Sequence, residues 1–465
     1  MTIGSGQSDN VNAPNFSPKN YLVKHIKLLR EGLGGNEIGQ RAIELTQIVK
    51  KIEINESIYK NGITVDISVA DSNKILDRLR INGTEKIALN IARNAEVNSE
   101  EFKLNLSVIN IDSFSMPTPG MQTYVLRCVS DYIVENQSKV ISEEFSDVSN
   151  KIKNIAMSAL NIDEKDLKIA ATSESVKGII PKMKPLSAIN WLTRNITDSG
   201  LPYYFYQTSN GQVHLKSQLE MLGDEHSDRD YINSNHIPMY SFADKLQNTT
   251  DKFYEAEKFR IDKLNSKLNF SGFSNIANGV LGSKKYSVDI FEKNYLPAVT
   301  HNYSDDNKKL LNSEKPFPSK YIEGKEFSGR NFYLNLNSGA FDNGNNYHDI
   351  INATIQQREQ YLNGIDSHSQ EIVIPGDFNI SVGKTIFLKI LSNTFEDDDL
   401  GPNEDNTTED RGASGAYMIS SIVHTFTPQS FISRVVCKKD SFIDNQDNPI
   451  DYFATDESTR TKEGI

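Results

Sequence analysis

Gly383-Lys384-Thr385 has the residue types that close a phosphate-cradling loop, in which backbone N–H groups and a lysine meet phosphate oxygens. The glycine such a loop carries upstream is replaced by Phe378, and Thr385–Ile390 alternates like a strand where a helix must open. The triplet therefore reads as a hairpin turn. Asp397-Asp398-Asp399 before Gly401 has the look of a calcium loop, with Glu396, Asp398 and Leu400 at the first, third and fifth ligand places. Leucine offers no side-chain oxygen, and Thr407 stands where the closing glutamate belongs, so a solvated acidic loop is expected. The eight histidines include no His-Glu-x-x-His, and His226 and His236 flank a polar loop without the helical spacing that aims two rings at one zinc. Gly412-Ala413-Ser414-Gly415 lacks the residue a nucleophile elbow places between serine and the second glycine. Cys128 and Cys437 lie far apart in apolar, strand-like runs, which suits buried free thiols better than a disulfide or a metal site. Trp191 falls mid-helix, a core position. With 62 acidic residues, chance carboxylate pairs carry no information. No catalytic residue, cofactor site or metal-ligand set is named, and the expectation is a protein that is not an enzyme.

The elements that would position any such residue are mostly strands. Residues 1–19 are rich in Ser, Asn, Pro and Gly and read as a flexible arm. Ile63, Val65, Ile67 and Val69 alternate with polar neighbours, as do Ile87–Ile91, Phe102–Val108 and Tyr124–Cys128. Turn signals separate them at Asn61-Gly62, Asn82-Gly83 and Pro117–Gly120. Several short alternating strands suggest a small barrel over residues 20–145, because closure removes exposed edges. Over 146–240 the period changes to an α+β unit. Val148, Ile152, Ile155 and Leu160 take helical spacing, Pro185–Gly200 reads as a helix with a first-turn proline and a glycine cap, and Tyr203–Leu215 reads as a hairpin. Residues 241–300 together with 371–440 are assigned to a second barrel, with strands at Ile372–Ile374, Phe378–Ile380, Ile386–Ile390, Tyr417–Phe426 and Phe431–Cys437. Residues 301–370 form a polar excursion with one helix near 349–362, 396–411 an acidic loop read as disordered, and 441–465 a polar tail. The fold class is thus mainly β with an α+β insertion and two small antiparallel β-barrels per chain.

Composition narrows the function class. The chain has 465 residues, enough for about three domains; 37 % are hydrophobic, 24 % charged and 9 % aromatic, which argues for packed cores. The net charge of −12 and the lack of clustered Lys and Arg argue against sequence-specific nucleic-acid binding. No apolar stretch approaches membrane-spanning length, and the polar N-terminus has no secretory h-region. Stable membrane insertion is not expected, and folding in a reducing cytoplasm is.

The run Gly376–Ile386 (GDFNISVGKTI), followed by Tyr417-Met418-Ile419, Ile422-Val423-His424 and Phe431–Cys437, resembles a segment of the central baseplate hub subunit of contractile-tailed, T-even-type bacteriophages. The likeness is specific over about residues 371–437 and architectural elsewhere, through the order barrel, α+β insertion, interrupted barrel and late helix at 352–362. The N-terminal arm, the acidic loop and the polar stretches around 300–345 depart from it. The resemblance implies tail-tube-like barrels and a homotrimer whose six barrels form a pseudo-sixfold ring. Such a ring would adapt a hexameric tail tube protein to a trimeric central spike protein, contact other baseplate proteins, and line part of the DNA-ejection channel. It implies a structural protein of the virion's tail baseplate, assembled in the host cytoplasm. The hub of a type VI secretion or tailocin machine, and a tail-associated cell-wall hydrolase or glycan-binding protein, are the alternatives.

Overall fold

The computed structural model describes residues 20–30, 41–79, 81–94, 100–172, 176–222, 238–241, 258–268, 272–290, 293–303, 310–312, 314–317, 319–322, 325–336, 347–390, 410 and 412–443. The expected arm at 1–19, most of the acidic loop and nearly all of the tail lie outside them.

The alternating runs form strands whose inward side chains are almost fully buried. The first group is β1 (Leu22–Arg30), β2 (Arg41–Glu44), β3 (Val49–Ser57), β4 (Thr64–Asp71), β5 (Lys86–Ala92), β6 (Glu101–Thr118) and β7 (Met121–Ser130). Val65, Ile67 and Val69 of β4 face Leu126 and Tyr124 of β7 and Ile52 and Ile54 of β3 in one apolar core. Burying each such side chain contributes about 1.5–3 kcal/mol.

Next comes the α+β unit, with β8 (Glu144–Phe145), β9 (Leu167–Ile169), β10 (Gly178–Ile179), β11 (Thr197–Asp198), β12 (Leu201–Gln207) and β13 (Val213–Ser217). Helices Val148–Asn154 and Pro185–Arg194 cover it, and Ile152, Ile189, Leu192, Phe205 and Leu215 share its core. Pro185 does start its helix, but the helix ends at Arg194. Gly200, expected as the cap, instead sits with Ser199 at the two-residue turn between β11 and β12; both have positive φ, the conformation that suits such a turn.

The later strands are β14 (Met239–Ser241), β15 (Lys263–Leu268), β16 (Gly282–Asp289), β17 (Asn294–Asn302), β18 (Arg330–Leu336), β19 (His368–Pro375), β20 (Thr385–Lys389), β21 (Gly415–Thr427) and β22 (Ser430–Lys439). Residues 282–302, expected in the second barrel, leave it: β16 pairs locally with β17 and in parallel with β18. The reason lies in β16, whose buried side chains Ser283, Lys285, Ser287 and Asp289 are polar. They suit the helix Tyr347–Gly364, where the Gln356 amide donates to Ser283 O at 3.0 Å, better than an apolar barrel.

Among the described residues a single 13-stranded sheet joins both barrel regions. Its first roll runs β3-β4-β7-β6-β5-β1 and its second β15-β19-β22-β21-β20-β14. These are the same order read in the same chain sequence, with one difference: β1 is antiparallel to β5, whereas β14 is parallel to β20. Each roll has its own core. Strand β21 belongs to both, pairing with β20 through residues 415–418 and with β3 through 421–426. The chain is mainly β, with the α+β insertion between two small rolled sheets.

Candidate functional site

The segment that carries the sequence motif is the seam between the rolls. Gly376–Lys384 does not form the expected strand and hairpin, because its flanking strands β19 and β20 are not neighbours; β22 and β21 lie between them. The connection crosses the sheet and gives its buried side chains first to one core and then to the other. Phe378 packs against Phe102 (4.6 Å between ring centres) and Phe431 (4.9 Å) in the first core, while Ile380 and Val382 enter the second. Phe426 stacks on Phe431 at 4.2 Å, and Tyr21 closes the cluster edge-on and donates its hydroxyl to Thr427 O at 2.6 Å. The Arg93 guanidinium donates to Gly376 O at 2.9 Å and lies 5.0 Å over the Phe378 ring.

Below this seam lies a buried carboxylate. β3 points Val49, Ile52, Ile54 and Glu56 inward, so Glu56 occupies an apolar place in the alternation and is 1 % exposed. Its two oxygens accept from the N–H of Val382 (3.1 Å) and of Ser209 (2.6 Å). The first donor belongs to the crossing segment and the second to the turn between β12 and β13. One carboxylate therefore ties both rolls to the α+β unit. His424 Nε2 lies 3.9 Å away, and its Nδ1 is 2.9 Å from Ser433 Oγ. Asn61 and Asn190 exchange side-chain amide bonds at 2.8 and 3.0 Å across the same junction.

Several of the residues with chemical potential in the sequence are described, and each of these makes packing or hydrogen-bond contacts within the fold. Lys384 Nζ donates to Asn379 O at 2.6 Å and Thr385 Oγ1 to Met221 O at 3.0 Å, and strand β20 follows where a phosphate-cradling loop would open a helix. Ser414 is buried, and its hydroxyl accepts from Ile390 N–H and donates to Ile390 O, closing the neck of the acidic loop. Both cysteines are free and buried, and burial pushes both thiols far up from their ordinary pKa. Trp191 packs edge-on to Phe145 at 6.2 Å, inside the α+β unit. Burial pulls His214 down to about 4, and burial with Lys439 nearby pulls His368 down to about 3. His226, His236, Glu396, Asp398, Leu400 and Thr407 lie outside the described residues. Among the described residues no group of three His, Cys, Asp or Glu could hold a metal ion, and no helix is long and apolar enough to cross a membrane. A cleft of about 450 Å³ between the first roll and the α+β unit is lined by Lys86, Lys103 and Lys165 together with Asp131, Glu135, Asp163 and Asp166, so its walls carry charges of both signs.

Two groups escaped sequence reasoning. Glu56 was legible as a charge in the inward register of an alternating strand. Lys439 was not: it is fully buried, donates to Gly412 O (2.7 Å) and Ser414 O (2.9 Å), lies over the rings of Tyr417 and Phe442, and is pulled down to about 7 by burial.

What remains open to other molecules is strand edge and apolar surface. Beyond Val108, β6 has β7 on one side and no strand on the other among the described residues, and Ile109, Phe114 and Met116 are about half exposed or more. Among the described residues β15 pairs on one side only, with β19.

No protein-family model matches the chain, and no curated protein matches its sequence. Its structural neighbours are phage tail and type VI secretion proteins. A tail protein from Neisseria meningitidis MC58 aligns over 90 % of this chain and 97 % of its own, with 8 % identity and a TM-score of 0.49. The 43 kDa tail protein of prophage MuSo2 from Shewanella oneidensis covers 90 % and 98 %, with 9 % identity and a TM-score of 0.48. An E. coli type VI secretion component, described as similar in structure to the T4 phage tail proteins gp27 and gp5, covers 84 % and 73 %, with 9 % identity and a TM-score of 0.39. At these identities and scores the neighbours do not define what this chain does.

Proposed function

We propose that this chain is the structural hub subunit of a phage tail baseplate. In this reading three copies close into a ring of six rolled sheets that adapts a hexameric tail tube to a trimeric central spike and surrounds part of the DNA-ejection channel. The carrying observation is the repeated strand order of the two rolls within one chain. A threefold assembly of such chains presents six similar units, which is what an adaptor between sixfold and threefold partners requires. The resemblance of residues 371–437 to hub subunits supports the same reading. So does the use of the motif's residues: Phe378 packs in the first core and Ile380 and Val382 in the second, so the segment welds the two rolls together. The tube protein, the spike protein and neighbouring baseplate proteins are the partners this implies, and the virion tail is the place. The acidic balance of −12 would let DNA pass the ring wall without adhering.

Light scattering on the purified chain tests this directly. The expected mass is three times the 52.3 kDa of one chain, rising further when a trimeric spike is added. A monomer at micromolar concentration that stays monomeric with the spike present would overturn the reading, and clearing of a peptidoglycan zymogram would favour a hydrolase instead.

A further inference from the structure

The two rolls correspond strand for strand: β3 with β15, β4 with β19, β7 with β22, β6 with β21, and β5 with β20. In the second roll, the long strand β21 pairs with β20 through its first residues and then overshoots, and the overshoot pairs with β3 of the first roll. That junction is antiparallel and six pairs long, from Ser421↔Ser57 to Phe426↔Ile52. The first roll has the same overshooting strand. β6 is 18 residues long; its first seven pair with β5, and the rest extends beside β7 with its other edge open among the described residues. The second roll has the matching acceptor. β15 is the counterpart of β3, six residues long, with one edge on β19 and the other open among the described residues.

Donor and acceptor edges thus occur twice per chain, and only one pair is joined internally. From this we infer that the overshoot of β6 (residues 109–118) in one copy lies antiparallel beside β15 (Lys263–Leu268) of a second copy, repeating between chains the β21–β3 junction made within each chain. The occupant of this edge is a second copy because the acceptor it needs, a counterpart of β3 with a free side, is present in this chain. Backbone N–H and C=O groups on such an edge are a template for strand addition. The half-exposed Ile109, Phe114 and Met116 supply the apolar contact. The contact joins unlike surfaces head to tail, so it closes a ring when the rotation permits. The inference rests on the three-copy hub reading and names the strands that would make it.

The test uses the full-length chain with Phe114 replaced by p-benzoylphenylalanine. Isotopically light and heavy chains are mixed, assembled and irradiated, and the cross-linked peptides are identified by mass spectrometry. Light-to-heavy cross-links from position 114 to peptides containing residues 258–268 are expected. A trimer by light scattering whose position 114 cross-links elsewhere overturns this strand assignment and leaves the hub reading standing; a monomer overturns both. As a second measurement, Phe114→Glu with Met116→Glu should raise the concentration at half-assembly on the order of tenfold or more, with an unchanged circular dichroism spectrum. An unchanged assembly concentration would count against the inference.

Discussion

Removing the Glu56 carboxylate should loosen the α+β unit from the rolls before either roll unfolds. The two N–H groups it accepts, at 3.1 and 2.6 Å, come from Val382 and Ser209. Hydrogen bonds to a charged acceptor contribute roughly 1.5–3 kcal/mol each. Against this stands the cost of keeping a carboxylate dry, several kcal/mol, which is relieved when it is removed. Glu56→Ala, however, also leaves two buried donors unmatched, at about 1–3 kcal/mol apiece. The balance is a loss of about 2–4 kcal/mol. Glu56→Gln keeps one accepting oxygen and turns an NH2 group toward the other donor, for a loss of about 1.5–3 kcal/mol. The assay is urea unfolding followed by the fluorescence of the lone Trp191, which sits in the α+β helix Pro185–Arg194, beside far-ultraviolet circular dichroism for the strands. In Glu56→Ala the fluorescence transition should move to lower urea and separate from the dichroism transition. Glu53→Ala, which removes a surface ion pair with Lys51 on the same strand, should shift neither by more than about 0.5 kcal/mol. If Glu56→Ala behaves like Glu53→Ala, the carboxylate is not the tie between the units and the reasoning is wrong.

Gly383→Ala meets two obstacles, a φ of +77° and a Cβ that would come within 2.5 Å of the Tyr206 hydroxyl; a loss of about 2–3 kcal/mol in thermal melts is expected. Tyr206→Phe in the same chain should recover the steric share, seen as a positive coupling in a double-mutant cycle. Burial holds Lys439 at about 7, against about 10.4 for an unfolded lysine. Between those values the unfolded chain binds the extra proton, so this group makes stability rise with pH, by up to about 1.4 kcal/mol per unit, and adds no slope below pH 7. The stability of wild type minus that of Lys439→Met should therefore increase from pH 7 to pH 9; a flat difference refutes it. An aromatic disulfide reagent should label neither Cys128 nor Cys437 in the native protein and both in denaturant, since both thiols are buried.

Four strands of the first roll, β4 to β7, were legible because a single signal decides them; β1, β2 and β3 were not singled out. In Ile63–Val69 and Phe102–Val108 every second residue is apolar and each strand has one core to face. That signal fails at Gly376–Lys384, where Phe378, Ile380 and Val382 also alternate. Their alternation serves two different cores on either side of a crossing segment, and periodicity cannot distinguish this from two faces of one strand. It fails again at β16, where the buried face is polar and the exposed face carries Val288, 42 % exposed, so the reading of inside and outside is reversed. Glu56 could be noticed in sequence as a charge out of place, but its partners, Val382 and Ser209, are more than 150 positions away. Lys439 ends an alternating strand next to Asp440 and reads there as an ordinary polar tail. Its burial depends on the Gly412–Ser414 carbonyls folding over it, a contact that no local pattern announces.

The continuity of the sheet has a mechanical consequence for a ring-forming role. β21 is a single strand whose first residues belong to one roll and whose last belong to the other. The tip of the β21–β22 hairpin places Phe426 and Phe431 in the first core, where Phe378 from the crossing segment joins them. Neither roll can rotate against its partner without breaking six strand pairs and pulling three aromatic rings from a packed core. Rings of about this size each contribute about 1.5–3 kcal/mol by burial alone. A flexible linker between two rolls would let the angle between them vary, and a closed ring would then depend on its partners for its shape. Here the angle is built into the backbone of each chain, so in the proposed ring each copy would bring two units already at the spacing the remaining junctions must reproduce.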